Sequence, residues 1–355
     1  MSDLLFEAIA LVVKIGVLIG GLLGLFSGMT LIERRVLAFM QFRLGPNRTG
    51  PQGILQPVAD GIKLFFKEEV MPQGANALAF FGAPVMAIAV IPYGPPFSVM
   101  GRTVQLQIAN LEVGVLYIFA ITALGVYGIV LAGWSANSKY PLLGALRSSA
   151  QMFSYELGLG LSWVGIIMLA GSFRMNDIIN AQAGGFWHWN LVGQFIAFLV
   201  YFVAATAEVS RTPFDLPEGE AELVAGFHTE YSSMKFALIQ MAEYVNMITV
   251  AVLCANLFLG GWHSGVPGLP ETLSGLGFLP AWLQAFPLPG FVYFAVKVSV
   301  VLFTFIWMRG TLPRFRYDQL MDFGWKVLVP VAMVNILLTA AWLTFGPARA
   351  AVAVN

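Results

Sequence analysis

Apolar residues in this chain come in long blocks with short polar breaks between them. Eight of the blocks approach the roughly 20 residues that a helix needs to cross a bilayer, at about 8–32, 77–97, 113–134, 150–171, 191–208, 236–262, 290–308 and 327–346. This predicts an all-α, polytopic integral membrane protein in one membrane domain, residues 1–355, with about eight transmembrane helices. One stretch has a different period. In "GILQPVADGIKLFFKEEV", Ile54, Val58, Ile62 and Phe65 fall on one helical face and Asp60, Lys63 and Lys67 on another, the pattern of an amphipathic helix lying on a bilayer surface. Just before it, "FRLGPNRTGPQG" has too much Gly and Pro to continue a helix. In the first span Gly16, Gly20, Gly24 and Gly28 recur every fourth residue, which permits close helix packing. The N-terminus lacks a basic region before its apolar run and a small-residue cleavage site after it, so the first block reads as a retained span.

Composition agrees with the pattern. The chain is 58% hydrophobic and 11% charged, with 19 acids against 19 bases, so it has no charge excess to attract nucleic acid. One cysteine, Cys254, excludes disulfides and thiolate clusters within the chain, and three histidines make no metal pattern. The bases are unevenly placed. Loops after the first, third, fifth and seventh spans hold 14 Lys and Arg and the opposite side holds three, Arg102, Arg174 and Arg349. The positive-inside rule then puts the odd loops in the cytoplasm and both termini in the periplasm. The longest is the first, 33–75, and the most acidic is 209–235.

Ionisable residues inside spans are costly and are functional candidates by default. Here they are Lys14, Glu156, Glu208, Glu243 and Lys297, with Lys14 close enough to its span end to snorkel. Glu156 and Glu243 have two readings. They are either a structural set with Lys297, Tyr155 or Tyr244, or a proton relay, because a carboxylate shielded from water can load and release protons near neutral pH. Glu208, closing the fifth span, connects them to "PFDLPEGEAELVAG", where Asp215, Glu218, Glu220 and Glu222 crowd into eight residues. Asp215 reads as a helix N-cap with Pro217 in the first turn and Glu218 three residues on. Capping leaves Glu220 and Glu222 unexplained. Glu218 and Glu222 share a helix face, where like charges disfavour full ionisation, so the cluster can share protons. Phosphate-binding, dinucleotide, hydrolase and zinc-protease motifs are all missing.

Four long blocks carry a resemblance over nearly the whole chain: "ERRVLAFMQFRLGPNRTGPQGILQPVADGIKLFFKE", "GWSANSKYPLLGALRSSAQMFSYELGLGL", "AEVSRTPFDLPEGEAELVAGFHTEYSSMKFALIQMAEY" and "LPRFRYDQLMDFGWK". They resemble the signature blocks of the H subunit (NADH dehydrogenase subunit 1) family of respiratory complex I. The resemblance implies a non-redox subunit of a proton-translocating NADH:quinone oxidoreductase in the bacterial inner membrane. Its loops would cap a quinone chamber beneath peripheral-arm subunits, with small membrane subunits and lipid as neighbours. Ubiquinone or menaquinone would be the substrate, with FMN and iron-sulfur clusters held only in partner subunits. By the same resemblance Glu156, Glu208, Asp215, Glu218, Glu220, Glu222, Glu230 and Glu243 match the acidic path, to which the intramembrane Lys297 is added, and Arg35, Arg43, Asp60 and Arg211 match polar positions of the quinone region. Ala38 and Phe65 complete that region as candidates for an apolar entrance. Two departures from the family pattern are Val209-Ser210, where many members carry Thr-Asn, and Thr49, where Val is common. Rival readings are the anchor subunit of a membrane-bound hydrogenase-type complex and a free-standing ion transporter.

Overall fold

The computed structural model describes residues 3–68, 86–99, 102–216, 226–269 and 288–346. Its helices in chain order are α1 (Asp3–Met40), α2 (Gln56–Phe66), α3 (Gly114–Ser135), α4 (Lys139–Ala170), α5 (Met175–Asn180), α6 (Phe195–Glu208), α7 (Ser233–Phe258), α8 (Leu288–Thr311) and α9 (Tyr317–Phe345). A two-stranded hairpin, β1 (Phe97–Val99) and β2 (Arg102–Val104), is a small exception to the all-α expectation. Among the described residues six helices, α1, α3, α4, α7, α8 and α9, are long and apolar enough to cross a membrane.

The two remaining expected spans differ. That at 77–97 lies largely outside the described residues. The one at 191–208 is the 14-residue α6, preceded by the single turn Asn190–Gly193 and a break at Gln194. The backbone across the break stays hydrogen-bonded, Gln194 N–H to the Asn190 carbonyl and Phe198 N–H to the Gln194 carbonyl. The Gln194 side chain is tied to α9: its amide donates to Thr339 Oγ1 at 2.9 Å and its carbonyl accepts from Asn335 Nδ2 at 2.8 Å. In α9 a π turn, Gly324–Leu328, precedes Pro330. Proline has no N–H to give the ordinary i to i−4 bond, and a widened turn is one way to accommodate it.

α7 is the most deeply buried of the long helices. Of its most apolar stretch 67% is buried, against 11% for α1. α7 is therefore enclosed by its neighbours, whereas α1 lies at the edge. The glycine series of α1 is on the open side: a Cβ on Gly16, Gly20, Gly24 or Gly28 would meet nothing within 4 Å. Leu18, Leu22 and Met29 form the face of α1 that is buried in the core.

The charge-rich loops come together at one end. Glu33 meets Arg211 and Arg309, Asp215 meets Arg314, Ser232 meets the Glu68 carbonyl and Tyr231 meets Ser135. The charge-poor connections gather at the other, where Glu112 pairs with Arg174, Asn256 bonds the Pro92 carbonyl and Phe186 bonds Gly265. The odd loops thus contact one another and the even loops contact one another, as the order of the spans predicts.

Candidate functional site

Three carboxylates from three helices line one cavity near the charge-rich end. Glu156 of α4, Glu208 of α6 and Glu243 of α7 surround a space of about 50 Å³, together with Thr122, Met152, Val209, Ser210, Phe227 and Asn246 among others. A cavity of that size has room for a few water molecules. No Lys or Arg is among the described residues lining it. Among the described residues no group of three His, Cys, Asp or Glu could hold a metal ion, so the acids surround the space without converging on a point.

Local structure fixes this arrangement. Glu208 is the last residue of α6, and the chain then turns through Ser210 at φ 54°, a left-handed conformation uncommon for a residue with a Cβ. The turn is held from α4, because the buried Gln151 amide donates to both the Ala207 and Phe214 carbonyls, at 2.7 and 2.8 Å. Gln151 is five residues before Glu156, so one helix braces the α6 terminus and adds its own carboxylate. Phe227 closes the other side. Its backbone passes so near Gly144 of α4 that a Cβ there would lie 2.9 Å from the Phe227 nitrogen. Tyr231 fastens this loop to the end of α3, donating to the Ala132 carbonyl at 2.9 Å with Ser135 Oγ 3.1 Å away. Burial pushes the Tyr231 hydroxyl above its ordinary pKa, and the Ser135 contact offsets part of that.

A second ionic site adjoins the first. The buried Glu33 of α1 pairs with Arg211, at 3.3 Å, and with Arg309 of α8. The Arg211 guanidinium also lies over the Tyr244 ring, 4.7 Å from its centroid. Sequence reasoning places Arg211 near the quinone, counts Arg309 only for topology and passes over Glu33. The one available signal is an acid at the end of an apolar run, in "LIERR". Nor do the tyrosines serve the cavity acids: Tyr155 donates to the Leu320 carbonyl at 2.8 Å, and Tyr244 sits with Arg211.

Other expected residues are scattered. Glu218, Glu220 and Glu222 lie outside the described residues. The chain on either side of them, at Val209–Ser210 and Phe227, lines the cavity. Asp215 accepts from Arg314 at 2.8 Å, a partner that the capping reading does not include. Glu230 is exposed in a turn. Lys297 does not join the acids. Its ammonium donates to the Leu259, Gly261 and His263 carbonyls, and Leu259 is 16 residues beyond Glu243, about 24 Å along α7 at 1.5 Å per residue.

In the first loop, Arg35 donates to the Gln52 carbonyl, Arg43 bonds Gln41, and Asp60 pairs with Arg34 at 2.7 Å while accepting from Gln56. Ala38 is 0% exposed, beneath the turn that brings Gly45 against Arg35. It therefore cannot line an open slot, which corrects the expectation for that residue. Phe65 is 67% exposed and α2 has no buried residue. Ser233 Oγ and Ser232 Oγ, at the start of α7, donate to the Leu64 and Glu68 carbonyls, tying down the end of α2 while its apolar face stays open.

Comparison with known proteins gives a consistent result. A profile of the family described as NADH dehydrogenase matches residues 13–340. The chain is 49% identical to an H subunit of NADH-quinone oxidoreductase from Koribacter versatilis, over 96% of this chain and 99% of that protein. It is 48% identical to an H subunit of the same enzyme from Geobacter metallireducens, over 93% of this chain and 94% of the relative. With the corresponding H subunit of Deinococcus radiodurans it shares 49% identity over 98% of this chain and 87% of the relative. Similar to these H subunits over nearly its full length, the chain belongs to the NADH dehydrogenase family.

Proposed function

We propose that this chain is the H subunit of a NADH-quinone oxidoreductase, a membrane subunit without redox centres that couples quinone reduction to proton movement. The observation that carries the reading is the cavity in which Glu156, Glu208 and Glu243 meet without a lining base. Close carboxylates in a site shielded from water resist full ionisation together, so each added or removed charge nearby redistributes protons among them. The chain enters and leaves the Glu218–Glu222 stretch beside this cavity, which supports the acidic loop as the link between cavity and quinone region. Arg35, Arg43, Asp60 and Arg211 are proposed polar residues of that region, and the open face of α2 around Phe65 its apolar entrance. Peripheral subunits carrying FMN and iron-sulfur clusters would cover the charge-rich end, which faces the cytoplasm. The small membrane subunits and lipid would surround the spans. Glu230, in the loop's exposed turn, belongs to the docking side of the path.

The test is the Glu208→Gln, Glu243→Gln double variant in the whole complex. Gln keeps shape and hydrogen-bonding capacity and removes both charges. Quinone reduction and proton pumping per assembled complex should fall together, while NADH oxidation by an acceptor that draws electrons upstream of quinone is spared. Wild-type pumping in the double variant would end the relay reading.

A further inference from the structure

Lys297 is a charged residue that the cavity does not use, and its surroundings are built. Past the end of α7 the chain turns through Gly260 and Gly261, at φ 71° and 52°, a left-handed pair that glycine adopts without a Cβ clash. The turn aims three carbonyls at one point. The Lys297 ammonium donates to Leu259 O at 2.5 Å, Gly261 O at 3.0 Å and His263 O at 2.6 Å. A fourth side is aromatic, with the ammonium 4.2 Å from the Trp189 ring centroid. Trp189 is itself wedged against glycines: a Cβ on Gly260 or Gly265 would come within 2.5 and 2.4 Å of its ring.

Each feature favours a compact cation. An ammonium has three N–H donors and no acceptor, matching the three carbonyls. The carbonyl end of a helix carries partial negative charge, and an indole face attracts a cation. Lys297 is the tenth residue of α8, whose C-terminal turn is held by Arg309 on Glu33. The two basic residues are 12 apart, about 18 Å along the helix. One helix is thereby held by charge at two points, near its middle to the terminus of α7 and near its C-terminus to α1.

We propose that residues 259–263 with Trp189 form a main-chain cation site for a primary ammonium, which Lys297 fills permanently to pin α8 to the end of α7. Lys297 is then a positioning residue and carries no proton in turnover.

The experiment uses the whole complex in native membranes and follows its thermal inactivation together with protons pumped per quinone reduced. Lys297→Met leaves the carbonyls without their cation, and Lys297→Arg offers a flat guanidinium in place of a compact ammonium. The expected order of inactivation temperature is wild type, then Arg, then Met, with the proton ratio of the surviving complex unchanged in both. In Lys297→Ala, n-propylammonium should raise the inactivation temperature, whereas tetramethylammonium at equal ionic strength, which has no N–H, should not. Neither salt should do so in wild type, where the site is filled. A Met variant as stable as the Arg variant would overturn the proposal, as would equal effects of the two salts in Lys297→Ala. So would a lower proton ratio at wild-type thermal stability, since Lys297 would then belong to the proton path.

Discussion

Glu208 and Arg211 are three residues apart, yet they belong to opposite kinds of site. Among the described residues, Glu208 faces a cavity lined by three carboxylates and no base, while Arg211 joins Glu33 and Arg309 in a cluster of one acid and two bases. The same division recurs on α7, where Glu243 lines the cavity and Tyr244 lies under the Arg211 guanidinium. Successive residues of a helix point about 100° apart, so one turn of backbone serves both sites. The difference teaches what each can do. Opposite charges held together resist titration and stiffen the junction of α1, α8 and the 209–216 turn. Like groups sharing a small space exchange protons readily. The two sites share backbone at 208–211 and 243–244.

The largest effect expected is from the cluster. Glu33→Ala leaves two basic groups without their shared carboxylate, and breaking a buried pair by removing one partner costs about 3–5 kcal/mol. Assembled complex, measured by native gel of solubilised membranes, should be nearly lost. Normal assembly of Glu33→Ala would mean that the cluster is not a structural junction, and the comparison would fail.

In the cavity the expected effect is on rate and not on assembly. Glu208→Gln should assemble normally and lower quinone-linked turnover about tenfold, ~1.4 kcal/mol on the barrier. A Glu208→Gln complex that fails to assemble but turns over normally when formed would make Glu208 a structural acid like Glu33.

These contrasts set how far the sequence can be read. Apolar block length is a local property, so six of the expected spans are legible; the one at 77–97 lies largely outside the described residues, and the one at 191–208 is interrupted at Gln194, whose side chain bonds Asn335 and Thr339 of α9, far along the chain. The order of the spans predicts which loops meet. The cavity acids are legible as costly charges within spans. Their convergence is not, because which face of α4, α6 and α7 turns inward depends on packing. The partners of Glu33, Asp215 and Lys297 come from residues 34 to 276 positions away, beyond any local pattern. Ala38 misleads for the same reason, since a small apolar residue by itself does not say whether a slot or a neighbour fills the space above it.

A smaller effect is expected at Asp215, which the Arg314 pair places between the two extremes. Its side chain is 13% exposed and that of Arg314 is 28% exposed. Asp215→Asn keeps a polar contact but removes the charge assistance, which at about 1 kcal/mol should reduce assembled complex by severalfold or less. Arg314→Ala should do the same, and the double variant should be no worse than the more severe single one, the signature of a coupled pair. Strictly additive losses would show that Asp215 acts through something other than Arg314, with the helix cap suggested by its sequence as the alternative.

The smallest effect isolates burial as the variable. Glu33 and Arg34 are adjacent on α1, and each is half of an acid–arginine pair. The Glu33 side chain is 4% exposed, whereas Arg34 is 52% and its partner Asp60 27% exposed, with 2.7 Å between the charged atoms. A close contact does not make the Arg34 pair strong, because water and salt screen it and two long side chains must be ordered to form it; such pairs are worth about 0–1 kcal/mol. Arg34→Ala should therefore leave assembly within error of wild type, and raising ionic strength should erase any residual difference. Asp60→Asn separates stability from function, since Asp60 is also a proposed polar residue of the quinone region. Unchanged assembly with a raised apparent KM for quinone supports that role, and unchanged assembly with unchanged KM removes Asp60 from the site. Loss of assembly in Arg34→Ala comparable to that in Glu33→Ala would show that proximity to the junction, and not removal from water, decides which charges of this protein are structural.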